Sequence, residues 1–121
     1  MPHGNVVLSA GESEAYKADY GKEKSFRADY ANCVIRMVAV QARMAAEMKD
    51  FQAKRTSSYL WKPHADALTY LLAAANREIE NAGRLGGLAQ DRGLADKVTA
   101  MKASADKLRL QSQQVAAALQ Q

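Results

Sequence analysis

The sequence between Phe26 and Phe51 reads FRADYANCVIRMVAVQARMAAEMKDF. Alternating steps of four and three residues through this stretch meet a series that we call the inner seam. Its members are Phe26, Tyr30, Cys33, Met37, Val40, Met44, Glu47 and Phe51. All of them except Glu47 are apolar or aromatic. Because this repeat is typical of a helix packed against other helices, the stretch predicts a long helix with one buried stripe.

The composition predicts one all-helical domain with a thin core. The chain has 121 residues, about the size of one ordinary domain. It contains 24 alanines, and alanine is the best helix former but fills little core volume. Hydrophobic residues make up 48% of the chain, which is enough for folding. A thin, alanine-rich core predicts that a partner or self-association contributes to stability.

Two further seams predict two more helices. The first contains Ala65, Leu68, Leu72, Ala75, Ile79 and Ala82, and the second contains Leu94, Val98, Met101, Ala105, Leu108, Ser112, Val115 and Leu119. Pro63 is suited to the first turn of a helix, and Gly83 is predicted to end the middle helix. We therefore expect an antiparallel up-down-up three-helix bundle with long helices at about 22–56, 64–82 and 88–119.

The segment before the bundle is predicted to form an arm. Residues 9–12 have the spacing of a helix capping box, and Gly21 is expected to interrupt the helix that begins there. The predicted organisation is thus an N-terminal arm with a short helix at 1–21 and a helical bundle domain at 22–121.

Charge and cysteine content limit the classes of function. The net charge is +4, and residues 22–55 alone contribute +4 through eight basic and four acidic side chains. This mixture predicts a solvated or interface surface more than a phosphate-binding stripe. The single cysteine, Cys33, is predicted to be a buried small hydrophobe. With no secretory signal or apolar span in the sequence, we expect a cytoplasmic, reducing location without a membrane span.

Motifs for catalysis or cofactor binding are weak in this chain. Histidine occurs at only two positions, His3 and His64, and neither has the spacing of a zinc or di-iron site. The surroundings of His64 do not match a phosphotransfer histidine. The glycines of residues 83–93 lack the fixed spacing of a phosphate-binding loop. The sequence predicts no enzyme, no catalytic residue, no cofactor and no metal.

An aromatic and basic repeat supplies the candidate partner-binding residues. The segment YKADY at 16–20 is echoed by FRADY at 26–30, which predicts either a docking surface or, preferably, part of the core. Arg36, within the apolar run 33–40, is expected to extend to solvent or to meet an acid of a partner. Met44 is predicted either to offer adaptable binding surface or, preferably, to fill the core, and Glu47 marks looser packing or a partner's entry point. The candidates are Tyr16, Tyr20, Phe26, Arg27, Tyr30, Arg36, Met44 and Glu47.

The sequence favours a non-enzymatic helical interaction module, a structural or assembly subunit or an adaptor of a larger protein complex. Its expected partner is another protein or further copies of the chain. One alternative is a nucleic-acid-binding protein that uses the basic first helix, with Arg27, Arg36, Arg43, Lys54 and Arg55 near phosphates. A secretion- or assembly-chaperone-like bundle is a further alternative. A helix-turn-helix at 88–94 is disfavoured, because Arg92 and Thr99 fall where that motif needs buried apolar side chains, and so is an enzyme or phosphorelay domain using His64.

Overall fold

The computed structural model describes the backbone of residues 10–121 and the side chains of 22–57 and 59–121. Helix α1 spans Ala10–Lys54, α2 spans Lys62–Asp91 and α3 spans Ala95–Leu119. A short 3₁₀ turn at Ser58–Trp61 joins α1 to α2. The three long helices form the predicted up-down-up bundle, and the described residues contain no strand.

Helices α1 and α3 bury the stripes that their seams predict, whereas on α2 the seam residues Ala65, Leu72 and Ile79 are only half-buried. On α1, six inner-seam residues are buried, and Val40 and Glu47 are half-buried. The α3 core also follows the predicted seam, with Met101, Leu108 and Val115 almost fully buried. On α2 the buried set is Leu68, Leu71, Ala75, Ala82, Leu85 and Ala89. Burial of these apolar stripes is the main favourable contribution to the fold.

The second helix is longer than predicted, because Gly83 does not end it. The helix continues through Gly83, Gly86 and Gly87 to Asp91, since Leu85 and Ala89 extend its buried stripe. The helix ends instead at Asp91, and Gly93, which follows in the turn, has a positive φ of 69°. The third helix accordingly starts at Ala95, later than the start at about residue 88 that the sequence predicted.

The turn at Gly93 is a Schellman motif. The Gly93 amide donates to the Gln90 carbonyl at 3.0 Å, and the Leu94 amide donates to the Ala89 carbonyl at 2.9 Å. These two bonds satisfy carbonyls that the helix end would otherwise leave unpaired. The left-handed backbone that they require is available to glycine at low cost.

The first helix also differs from the prediction, because it runs through Gly21 without the expected interruption. Its 45 residues correspond to about 68 Å of α-helix. Arg92, in the α2–α3 turn, donates a hydrogen bond to Glu23 near the start of the described side chains. The residues of α1 before Lys22 therefore extend past the end of the bundle that this turn closes. The division into an arm at 1–21 and a bundle domain stays a prediction, and residues 1–9 lie outside the described part.

The glycines give a matched test of this fold. Gly87 is exposed inside α2, and a β-carbon added there would meet no atom within 4 Å. We expect Gly87→Ala to raise the free energy of unfolding by about 0.5–1 kcal/mol, because alanine reduces the conformational entropy of the unfolded chain. Gly93→Ala should lower it by about 1–2 kcal/mol through the left-handed backbone. Urea unfolding measures both, and equal effects of the two changes would contradict the assigned helix end.

Candidate functional site

The described partner-binding candidates fall into two groups. Phe26, Tyr30 and Met44 are buried in the core, so their side chains contact the chain's own helices and do not form a surface. This corresponds to the preferred interpretations of the FRADY segment and of Met44. Tyr16 and Tyr20 lie outside the described side chains. Arg27, Arg36 and Glu47 reach the surface.

Aromatic and basic side chains close the end of the bundle near the α2–α3 turn. The Tyr30 hydroxyl donates to the Lys97 carbonyl at 2.7 Å, and the Lys97 ammonium lies 4.7 Å from the Tyr30 ring centroid. The guanidinium of Arg92 lies 4.6 Å from the Phe26 ring centroid. Cations over aromatic faces are favourable, so the FRADY segment at 26–30 links α1 to α3 and to the turn before it.

A second polar cluster links the same turn to α1. Glu23 accepts bonds from Arg92 at 3.0 Å and from Arg27 at 3.2 Å. The hydrogen bond from Arg92, together with that from Arg27, lowers the pKa of the Glu23 carboxyl. Arg27, predicted as a partner contact, therefore already has an acidic neighbour on its own helix.

Arg36 is half exposed, in line with the expectation that it extends to solvent, and it contacts an acid of its own chain. Its Nε donates to Glu78 Oε2 on α2 at 2.9 Å. The Glu78 side chain is 16% exposed, whereas the Arg36 side chain is 49% exposed. The other carboxylate oxygen of Glu78 is buried without a hydrogen-bond partner. Arg36 therefore compensates a mostly buried acid.

Glu47 does not mark looser packing, because His64 fills its side of the helix. His64 Nδ1 lies 2.7 Å from Glu47 Oε2, and His64 Nε2 lies 3.3 Å from Lys54 Nζ. These contacts fit a neutral imidazole that donates through Nδ1 and accepts through Nε2. The lysine, not a hydroxyl or thiol nucleophile, is therefore the group at Nε2.

Glu47, Asp50 and His64 are also the described residues that could hold a metal ion. Their ligand atoms lie within 4.8 Å of one another. The Glu47–His64 contact of 2.7 Å is a hydrogen bond, and an ion bound to both atoms at about 2.0–2.2 Å from each would separate them further. Lys54 adds a positive charge at the other ring nitrogen. The arrangement thus favours a hydrogen bond between Glu47 and His64 that joins α1 to α2.

An exposed apolar surface lies on the opposite side of α1 from α2. A second series with steps of three and four residues runs along this helix, and we call it the outer seam. It consists of Ala28, Ala31, Ile35, Val38, Ala42 and Ala45, all of which are exposed. Ile35 is 64% exposed and Val38 is 58% exposed. In the described part of the chain, α2 and α3 pack on the inner seam of α1 and leave the outer seam exposed.

A groove between α1 and α3 adjoins the outer seam. Its volume is about 500 Å³, and its lining includes Val38, Ala42, Leu110 and Gln111. Leu110 is 57% exposed, and Gln111 donates to the Gln41 carbonyl at 2.9 Å across the base of the groove. Together the outer seam and Leu110 form a continuous apolar face.

The remaining exposed apolar side chains are separate from this face. Tyr59, Leu60 and Trp61 occupy the corner between α1 and α2, where the Trp61 and Phe51 rings meet edge to face at 6.2 Å. Trp61 therefore anchors the corner to α1. Tyr70 lies alone on the outside of α2 and is 63% exposed. Within residues 10–121, no helix has a stretch both long and apolar enough to cross a membrane.

Comparison with protein-family models, curated proteins and solved structures gives no match to this chain.

The Arg36–Glu78 pair gives a test of the role of Arg36. Arg36→Met should lower the free energy of unfolding by about 1–2 kcal/mol, because it leaves the Glu78 carboxylate without its partner. The double change Arg36→Met/Glu78→Met should recover most of that loss. Chemical denaturation of the single and double variants measures the coupling. Additive losses would show that the two side chains are not coupled.

Burial of Cys33 predicts how stability changes at alkaline pH. Desolvation, followed by the nearby Glu78 carboxylate, raises the pKa of the Cys33 thiol above its ordinary value of 9.0. Above that pH the unfolded chain loses the thiol proton while the folded chain keeps it. Unfolding therefore becomes easier as the pH rises. Cys33→Ala should flatten the decrease in unfolding free energy between about pH 8 and 9.5. Identical slopes in both proteins would contradict this prediction.

Proposed function

We propose that this chain is a non-enzymatic helical interaction module, a structural or assembly subunit or an adaptor of a larger protein complex. The observation that carries the proposal is the exposed outer seam of α1, with Ile35 and Val38 at its centre. Scattered exposed apolar residues are normal on a protein surface, whereas a contiguous apolar face is typical of an interaction site.

The spacing of this face supports a helix as its occupant. Ala28 and Ala45 are 17 residues apart, which corresponds to about 26 Å along α1. Steps of three and four residues keep the outer seam on one side of the helix over that length. A partner helix with its own apolar stripe could therefore pack along the whole seam.

The rigidity of α1 also supports the proposal. The inner seam fixes the rotation of α1 through buried residues such as Cys33, Met37 and Met44. The side chains of the outer seam are short, so binding immobilises little side-chain freedom. A surface that is already in its binding conformation loses less entropy on association.

The nucleic-acid alternative has less support from the basic side chains of α1. Arg36 contacts Glu78, Lys54 contacts His64, and Arg55 Nη1 donates to Gln121 at 2.8 Å. Arg27 contacts Glu23. Arg36 and Lys54 share one side of the helix, but Arg27 and Arg55 lie on other sides. Phosphate binding requires cations on one stripe.

A surface variant tests the proposal in the native host. Ile35→Lys/Val38→Lys places two charges in the centre of the outer seam, and burying them against a partner is unfavourable. Some proteins, including untagged copies of the chain, are captured in a fixed ratio to the tagged wild type. We expect that ratio to decrease about tenfold or more in the variant. Quantitative mass spectrometry of the captured material measures the ratio.

Tyr70→Lys is the matched control, because Tyr70 is similarly exposed but lies on α2 away from the seam. Circular dichroism should show that all variants remain helical and melt cooperatively. If the double variant retains every specifically captured protein at the wild-type ratio, the outer seam is not the functional surface and the proposal fails.

A further inference from the structure

The order of side chains in the outer seam reads the same in both directions. From Ala28 to Ala45 the series is Ala, Ala, Ile, Val, Ala, Ala, and the steps between its members are three, four, three, four and three residues. Two alanines therefore flank the two β-branched residues on each side. A series with this symmetry is complementary to an antiparallel copy of itself.

A two-fold axis beside the peptide between residues 36 and 37 brings the two copies into register. Each residue then lies level with the residue of the second copy for which the two numbers add up to 73. This relation pairs Ile35 with Val38, Ala31 with Ala42 and Ala28 with Ala45. The same patch of surface is used twice, as in an isologous dimer.

The side chains in this register suit close helix packing. The β-branched side chains meet at the centre, and alanine meets alanine on both sides. Small side chains let two helices approach at the short end of the usual axial separation of about 8–10 Å. Sliding one copy by seven residues would bring Lys49 level with Ala31, so registers shifted in this way bury a charge.

Charge along α1 favours the antiparallel direction. Residues 10–21 contain Glu12, Glu14 and Asp19 with one lysine, a net charge of −2. In the proposed register residues 19–21 lie level with residues 52–54, the last of α1, and the basic side chains of residues 52–63 at this end and in the corner that follows give a net charge of +3. A parallel arrangement would instead bring segments of the same sign together. Complementary charge sets the orientation of an interface and increases its rate of association.

We propose that two copies of this chain associate through the outer seams of their α1 helices, antiparallel and about a two-fold axis beside residues 36 and 37. This inference rests on the proposed function as an interaction module and identifies a second copy as the partner of the seam. The acidic start of each α1 lies along the basic end of the other copy's α1 and the corner that follows it.

Sedimentation equilibrium of the purified full chain tests the association. The wild type and Tyr70→Lys should be dimers, whereas Ile35→Lys/Val38→Lys should be a monomer with unchanged helix content. The dimer should weaken as salt increases, because salt screens the attraction between the acidic start of one α1 and the basic end of the other. A monomeric wild type over the accessible concentration range would overturn the inference, as would a dimer that the double variant retains.

Cysteine substitutions test the orientation. Copies with Ala28→Cys, mixed with copies with Ala45→Cys, should form a disulfide between the two kinds of chain on mild oxidation. Each variant alone should not form one, because equivalent positions are about 26 Å apart along the axis. Native Cys33 is buried and serves as the internal control. Efficient disulfides within each single variant would indicate a parallel dimer and overturn the inference.

Lys49→Glu tests the register without disrupting the apolar seam. Lys24 and Lys49 continue the seam by one step at its two ends and come level with each other in the proposed dimer. Lys49→Glu replaces two repulsive pairs with two attractive ones. We expect the dissociation constant to fall about threefold to tenfold. Weaker or unchanged association would contradict the register.

These results separate the inference from the proposed function. If the wild type is a monomer by sedimentation but the outer-seam variant still captures less of a protein from the host, self-association alone is overturned. Loss of both effects overturns the proposed function as well.

Discussion

Burial of the inner seam of α1 is the constraint on which the rest of the structure depends. Cys33 and Met44 have no exposed surface, and α2 and α3 pack around them, because neither helix could bury its own apolar stripe without α1. Once the inner seam is buried, the helical period places Ile35 and Val38 on the solvent side. A single helix thus carries two apolar stripes, and the bundle uses one of them. This division is the physical basis of the proposed interaction module.

Residue spacing was sufficient to predict the fold class, the inner seam and the α3 core. The predicted end of α2 at Gly83 is wrong, because the low helix propensity of glycine is outweighed by the continuing buried stripe of Leu85 and Ala89. The difference between Gly83 and Gly93 is tertiary: burial sustains the helix at the first, and the Schellman bonds end it at the second. Propensity is a weak prior that packing routinely overrides.

The candidate site was predicted less completely, for a related reason. Apolarity on every side of residues 33–40 was visible in the sequence, and a second repeat through Ile35 and Val38 could have been found there. Which repeat faces the core depends on the other two helices. The partners of charged side chains also required the fold, because Arg36 and Glu78 are 42 positions apart.

The glycines inside α2 have a consequence for how the bundle opens. Gly83, Gly86 and Gly87 add no side-chain contacts to the last third of a 30-residue helix, and each allows the unfolded backbone more freedom. That part of the helix is held by Leu85, Ala89 and the cap at its end, with little help from its own propensity. The bundle is therefore unevenly stable, and partial unfolding costs less in this last third of α2. Gly83 and Gly86 line a separate groove there, between α2 and α3. The seams of α1, at the other side of the core, can remain folded while this segment fluctuates.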